Sequence, residues 1–210
     1  METMETDKIL QKYRENYCHI FEKIYPSKGR TGFTERNLSV NFAKAYEQIY
    51  PQAFTWYEFP FGKNLHYDAI IVNPQKGELV IIESKRFDKL PKKINEVYDD
   101  INRVNAFYAS YYTEFAERIP SLADCTIRGA ILADVWTETE SKIRISESFQ
   151  NSTFIENYFP DLYKTQASWF VNGSYFNLDF SSIKPSPARD NKYIRDTYHL
   201  LGIVWDIDKK

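Results

Sequence analysis

The chain has 210 residues, of which 43% are hydrophobic and 27% charged, and its formal net charge at pH 7 is −2. These values are typical of a single globular domain, and the near-neutral charge argues against a protein that coats nucleic acid through overall charge alone. The sequence has no apolar stretch long enough to span a bilayer and no signal-peptide pattern. Its two cysteines, Cys18 and Cys125, lack metal-type spacing and favour a reducing compartment. We therefore expect a cytoplasmic protein with no membrane partner.

Apolar residues at helical spacing predict two helices in the first quarter of the chain. The first covers residues 6–24 and ends before Pro26. The second is capped by Thr31 or Thr34 and buries an apolar stripe. Glu35 falls on that stripe in the first turn, where the helix dipole alone favours an acidic residue by about 0.3–1 kcal/mol.

The middle of the chain predicts four strands and one long helix. In chain order, these are strands over 54–59, 67–73 and 78–86, a helix over 91–116 and a strand over 126–136. The second and third strands form a β-hairpin, because a Pro and Gly-containing loop separates two β-branched runs. The apolar run 79–82 covers both faces of its strand, as expected inside a sheet.

The register of this hairpin brings charged side chains together. If the loop closes symmetrically, Asn73 lies opposite Glu78, and counting back places Asp68 opposite Glu83. Side chains alternate along a strand, so Lys85 shares the face of Glu83. Like charges directly opposed, with Cβ atoms about 4.5–5.5 Å apart, repel each other and call for a positive charge between them. A bulged turn would shift this register by one residue.

The same residues carry a resemblance to a known family. Asp68, fourteen intervening residues and then Glu83-Ser84-Lys85 resemble the Asp…Glu-x-Lys signature of the PD-(D/E)XK nuclease superfamily. The resemblance covers about residues 33–136. It implies a restriction-endonuclease-like fold, an α/β (α+β) mixed sheet with an αβββαβ core and helices on both faces.

The resemblance also implies an activity, which is metal-dependent hydrolysis of phosphodiester bonds, in DNA rather than RNA. Mg²⁺, with Mn²⁺ as a substitute, would be held by Asp68, Glu83 and the carbonyl of Ser84. Glu35 matches the acidic residue that the helix before the sheet often adds to the metal site. Lys85 would lie beside the attacking water and stabilise the transition state by its charge.

Local basic residues favour a phosphate-facing surface, although a solvated face explains them equally well. The candidates for nucleic-acid contact are Lys28, Arg30, Arg36, Arg86, Lys89 and Arg103. Asp100 and Arg103 also form an Asp-x-x-Arg pattern that resembles one in some nucleases of this class, although an ion pair within the helix explains them more cheaply.

Two other interpretations of the charged residues remain open. The trio Asp68, Glu83 and Lys85 could be a buried salt-bridge cluster, although desolvation costs several kcal/mol per ion and favours retention for function. The protein could also be a catalytically inactive module that binds nucleic acid or protein, or a nuclease that acts on RNA.

The last third of the chain is less regular. Its predicted elements are a helix near 152–158, a hairpin over 169–176 turning at Asn172-Gly173, a helix start at Ser186-Pro187 and a strand over 202–207. We expect a single domain over 1–210, with the nuclease-like core at 33–136, an N-terminal helix within 1–32 and a C-terminal β-hairpin and helix extension over 137–210. Such extensions serve substrate recognition or dimer contacts in the family, so a homodimer is possible but not indicated by the sequence.

Overall fold

The structure is a computed structural model that describes residues 2–23, 33–61, 65–119, 124–183 and 192–207. The described residues form a mixed α/β fold with one six-stranded sheet. The helices are α1 (Glu2–Lys23), α2 (Glu35–Ile49), α3 (Leu90–Asn105), α4 (Phe107–Arg118), α5 (Glu140–Gln150), α6 (Phe154–Tyr158), α7 (Pro160–Val171) and α8 (Lys192–Thr197). The strands are β1 (Phe54–Phe61), β2 (Leu65–Asn73), β3 (Glu78–Arg86), β4 (Thr126–Trp136), β5 (Ser174–Leu178) and β6 (Tyr198–Ile207).

The strand order across the sheet is β1-β2-β3-β4-β6-β5. Only β3 and β4 run parallel, and the other four neighbouring pairs are antiparallel. Parallel neighbours need a long crossover, and α3 and α4 supply it between β3 and β4. The strands β3 and β4 therefore lie inside the sheet, with β1 and β5 at its edges.

Helices pack on both faces of this sheet. On one face, α3 to α7 bury residues such as Val97 and Phe149 against the sheet. On the other face, α1 and α2 bury residues such as Tyr13 and Phe42. The apolar run of β3 serves both cores, because Leu79 and Ile81 belong to the first core while Val80 and Ile82 belong to the second. Strand β3 is buried on both sides as its sequence predicts.

The predicted long helix over 91–116 is two helices in the structure. The chain leaves α3 at Asn105, passes through Ala106 and starts α4 at Phe107. Val104 and Phe107, on either side of Ala106, both lie in the core between the helices and the sheet.

The predicted hairpin over 169–176 is wrong. Trp169 lies at the end of α7, and the Gly173 N–H donates to the Phe170 carbonyl as the chain leaves that helix. Strand β5 then pairs with β6 instead of with the segment before the turn. Phe170 is almost fully buried against the sheet, so burial of a helix face prevails over the local turn signal.

Three further elements of the last third differ from the sequence-based expectation. The helices α5 and α7 lie in a stretch predicted to contain only one helix, near 152–158, where α6 is found. The final strand is longer than 202–207 and lies between β4 and β5. The predicted helix start at Ser186-Pro187 lies outside the described residues. Within the described ranges, no helix has both the length and the apolar character needed to cross a bilayer.

Candidate functional site

The β2–β3 hairpin has the register predicted from its loop. Asn73 pairs with Glu78, and the ladder continues to the pair Ala69 and Ile82. The left-handed φ of +61° at Gly77 allows the tight return of the chain. The next two residues in this register are Asp68 and Glu83, so the two carboxylates follow directly after the last ladder pair.

Beyond the last backbone pair of the β2–β3 ladder, the Asp68 side chain connects the two strands. The Asp68 carboxylate accepts the backbone N–H of Ser84, with Oδ2 at 2.6 Å from N. Burial raises the pKa of Asp68, while the Ser84 N–H and the charge of Lys85 act in the opposite direction. The hydroxyl of Ser84 is buried and has no hydrogen-bond partner among the described residues. Asp68 is therefore fixed to β3 at the position next to Glu83.

Glu83 is nearly inaccessible and is paired with Arg103 of α3. Its side chain is 3% exposed, and its Oε1 accepts from Nε of Arg103 at 3.1 Å and from Nη2 of the same side chain. Burial raises the pKa of Glu83 to about 8, repulsion from Asp100 adds to the rise, and Arg103 opposes it. The charged form of Glu83 is thus held in an environment that disfavours it.

Lys85 is paired with Asp100, also on α3. Its Nζ lies 2.5 Å from Oδ2 of Asp100, and the two side chains are 12% and 5% exposed. Burial alone would lower the pKa of Lys85, but the carboxylate of Asp100 outweighs it and the pKa is raised. The other oxygen of Asp100, Oδ1, accepts from Nη2 of Arg103 at 2.6 Å. Asp100 therefore links the two cations.

These five side chains form one group, which we call the acid–base cluster: Asp68, Glu83, Lys85, Asp100 and Arg103. It contains three carboxylates and two cations, so its formal charge is −1 when all are ionised. The cluster lies where α3 packs on the sheet, since Val97, Ile101 and Val104 of α3 belong to the core on this face.

The backbone of α3 is fixed where it carries the cluster. The hydroxyl of Tyr67, a fully buried residue of β2, donates to the carbonyl oxygen of Arg103 at 3.2 Å. At the end of the helix, the Asn105 side chain accepts from Trp205 Nε1 and donates to Gln166, both at 2.9 Å.

Glu35 lies at the margin of the cluster and makes other contacts. Its Oε1 accepts the backbone N–H of Arg86 at 2.9 Å and Nζ of Lys93 at 2.7 Å. The residue opens α2, with Thr34 as the N-cap residue. Its charge contributes to the raised pKa of Asp68, which places it within electrostatic reach of the predicted metal ligands.

The predicted nucleic-acid contacts are dispersed. Arg86 is turned into the other face of the sheet, where it pairs at 3.1 Å with the buried carboxylate of Asp134. Arg36 is exposed and lies 3.5 Å from Glu58, and Lys89 is exposed before the start of α3. Arg103 belongs to the acid–base cluster.

Two other predicted contacts, Lys28 and Arg30, lie outside the described residues. The predicted basic surface is therefore represented in the structure by Arg36 and Lys89, because Arg86 and Arg103 are engaged in ion pairs inside the fold.

The fit to a metal ion can be judged from the oxygen donors. Across the described ranges, no three His, Cys, Asp or Glu side chains are grouped so that they could hold a metal ion. Asp68 and Glu83 are two hard donors in adjacent positions, and Mg²⁺ binds to one or two carboxylates while keeping several waters. Among the described residues these two carboxylates are therefore the neighbouring hard donors, and Glu83 is already bonded to Arg103.

Sequence reasoning did not assign Asp100 to the site. The intrahelical pair Asp100–Arg103 that it expected is present, yet both side chains also contact β3, at Lys85 and Glu83. The signal in the sequence is the Asp-x-x-Arg pattern of these two residues, for which the ion pair within the helix is the cheaper explanation.

Comparison of the chain with models of known protein families, with curated proteins and with solved structures found no match.

Proposed function

We propose that the protein is a Mg²⁺-dependent nuclease of the PD-(D/E)XK type that hydrolyses phosphodiester bonds, in DNA in preference to RNA. The observation that supports this most strongly is the position of Asp68 beside Glu83 in the hairpin register, with Lys85 two residues further along β3. The spacing and the residue types of the Asp…Glu-x-Lys motif are both present in the strands where the family has them.

The order of elements also supports this proposal. The helix α2, the strands β1 to β3, the crossover helices α3 and α4, and the parallel strand β4 follow one another along the chain, an order similar to the αβββαβ order of the family. Two helices stand in the crossover where the family order has one.

The residues of the cluster have separate chemical tasks in this proposal. Asp68 and Glu83 would hold the divalent ion, whose contribution would be to neutralise charge on the phosphate and to activate water. Lys85 would place a fixed positive charge where negative charge develops in the transition state. Asp100 keeps Lys85 protonated and oriented, because its carboxylate contacts the ammonium group. Glu35 would add an oxygen donor at the margin of the site.

The test is cleavage of DNA and RNA substrates with Mg²⁺ or Mn²⁺, comparing wild type with Glu83→Ala and Lys85→Ala. We expect metal-dependent cleavage that falls at least about 100-fold in both variants, the size of effect seen when a group that stabilises transition-state charge is removed. Lys92→Ala is the matched control, since Lys92 lies on the same helix as Asp100 but is 77% exposed. Activity that survives Lys85→Ala and Glu83→Ala would contradict the proposal.

A second candidate is a non-catalytic module that binds nucleic acid or protein. It is favoured by the internal pairing of the cluster, because Glu83 is already bonded to Arg103 and Lys85 to Asp100. This candidate predicts binding of DNA or RNA without cleavage under any metal condition, and equal binding by wild type and Lys85→Ala. Cleavage of RNA but not DNA would instead support an RNA-directed nuclease.

A further inference from the structure

Arg103 occupies the carboxylate that the proposed function assigns to a metal ion. Both Nε and Nη2 of its side chain approach the same oxygen of Glu83, Oε1. When Glu83 is ionised, a guanidinium group bonded in this way neutralises its charge from within the protein. A divalent cation cannot use that oxygen while the guanidinium group remains on it, since two cations at one oxygen repel each other strongly in a buried site.

Arg103 has a second carboxylate partner, Asp100, besides Glu83. Asp100 already accepts Nη2 through its Oδ1 at 2.6 Å, so the guanidinium group can leave Glu83 and keep one carboxylate partner. The Arg103 side chain is 26% exposed, whereas Glu83 and Asp100 are 3% and 5% exposed. The cation is thus the member of this trio with a route toward solvent.

The helix itself is not free to move with the side chain. Tyr67 holds the carbonyl of Arg103 from β2, and Asn105 is held by Trp205 from β6. Release of Glu83 therefore requires rotation of one long side chain and no displacement of α3.

We propose that Arg103 is a built-in counter-cation that competes with the divalent metal ion for Glu83. In the metal-free protein it holds Glu83, and metal binding requires its transfer to Asp100. This inference rests on the proposed function, because it assumes that Glu83 is a metal ligand. It predicts that Arg103 weakens metal affinity, whereas a residue that oriented Glu83 for metal binding would strengthen it.

The test is Mn²⁺ binding to the full chain by isothermal titration calorimetry, with no nucleic acid present. Arg103→Met keeps the length and the apolar stem of the side chain but removes the charge. We expect it to bind Mn²⁺ at least about tenfold more tightly than wild type, and the double variant Arg103→Met/Glu83→Gln to lose that gain. Arg103→Gln provides the same comparison if Arg103→Met does not fold, as judged by circular dichroism.

Arg128→Met is the matched control. Arg128 forms a comparable buried pair with Glu78, at 2.8 Å between Nη1 and Oε1, near the opposite end of β3. Its removal should leave Mn²⁺ affinity at the wild-type value, unlike removal of Arg103.

The outcomes separate this inference from the function on which it rests. If the Arg103 variants bind Mn²⁺ as tightly as wild type or more weakly, and binding in wild type depends on Glu83, Arg103 does not compete with the metal ion. The metal site itself is then not contradicted. No Mn²⁺ binding in any form of the protein overturns the metal site and the competition together.

Discussion

The raised pKa of Glu83 makes the stability of the fold depend on pH in a definite direction. Burial raises the pKa of Glu83 to about 8 from an ordinary value of 4.5, so the folded state binds this proton more tightly than the unfolded state. The stability that results is complete below the unfolded value and is lost as the pH rises toward 8. The steepest possible loss from one group is about 1.4 kcal/mol per pH unit.

Replacement of Glu83 by Gln removes this dependence. Gln resembles the protonated carboxyl group in shape, so Glu83→Gln should differ little from wild type near pH 5. The stability of the variant relative to wild type should then rise with pH, by up to about 3 kcal/mol between pH 5 and pH 7. The pKa of about 8 already includes the opposing effect of the pair with Arg103.

Urea unfolding at pH 5, 6, 7 and 8, with EDTA present, measures the difference between the two proteins. Glu96→Gln is the control, because the pKa of Glu96 is lowered, the opposite direction from Glu83. Burial acts to raise that pKa, but the contact with Lys93 outweighs it. The stability that Glu96 adds is present above its unfolded value, so the Glu96→Gln difference should stay flat over this range. A flat difference for Glu83→Gln as well would refute the reasoning, since it would mean that Arg103 keeps Glu83 ionised throughout.

Two further predictions concern packing and a buried hydrogen bond. Gly202→Ala should cost about 1–3 kcal/mol of stability by urea unfolding, because the added Cβ would lie 2.3 Å from the ring of Phe176. The control Gly77→Asn should change stability by no more than about 0.5 kcal/mol, since Asn tolerates a positive φ and nothing lies within 4 Å of an added Cβ there. Tyr46→Phe should cost about 1.5–3 kcal/mol, because the Tyr46 hydroxyl donates to the buried carboxylate of Glu78; a loss below about 0.5 kcal/mol would show that this bond adds nothing to stability.

The central strands could be predicted from the sequence because their determinants are local. The β-branched runs, the loop between them and the period of two together define the hairpin, and its register follows from counting back from Asn73 and Glu78. The predicted strand over 126–136 matches β4 in the structure.

The C-terminal third was harder because its pairing is not local. Strand β5 pairs with β6, to which it is joined through α8, and β6 then inserts beside β4. No turn residue near Asn172 specifies either contact. Helix α5 buries Ile145 and Phe149 at helical spacing, but that two-residue signal is embedded among polar residues and is weak without knowledge of the sheet that covers it.

Only the strand residues of the acid–base cluster could be predicted, again because their determinants are local. Asp68, Glu83 and Lys85 come from two consecutive strands, so local register brings them together. Asp100 and Arg103 join them only because the crossover lays α3 across β3, which is a consequence of the whole topology. A sequence can indicate that the two helical residues pair with each other, but it does not indicate which strand they meet.

The charge of the completed cluster bears on the choice between a structural and a functional role. Burial of ion pairs adds little to stability compared with apolar residues of similar volume, and a cluster kept only for structure has no reason to contain an unmatched charge. Here three carboxylates face two cations, and burial raises the pKa of both Asp68 and Glu83. The excess negative charge can be removed by a proton or by a cation taken from solution. A single proton brings the formal charge of the cluster to zero, whereas a divalent ion held by the neighbouring carboxylates of Asp68 and Glu83 would bring it to +1.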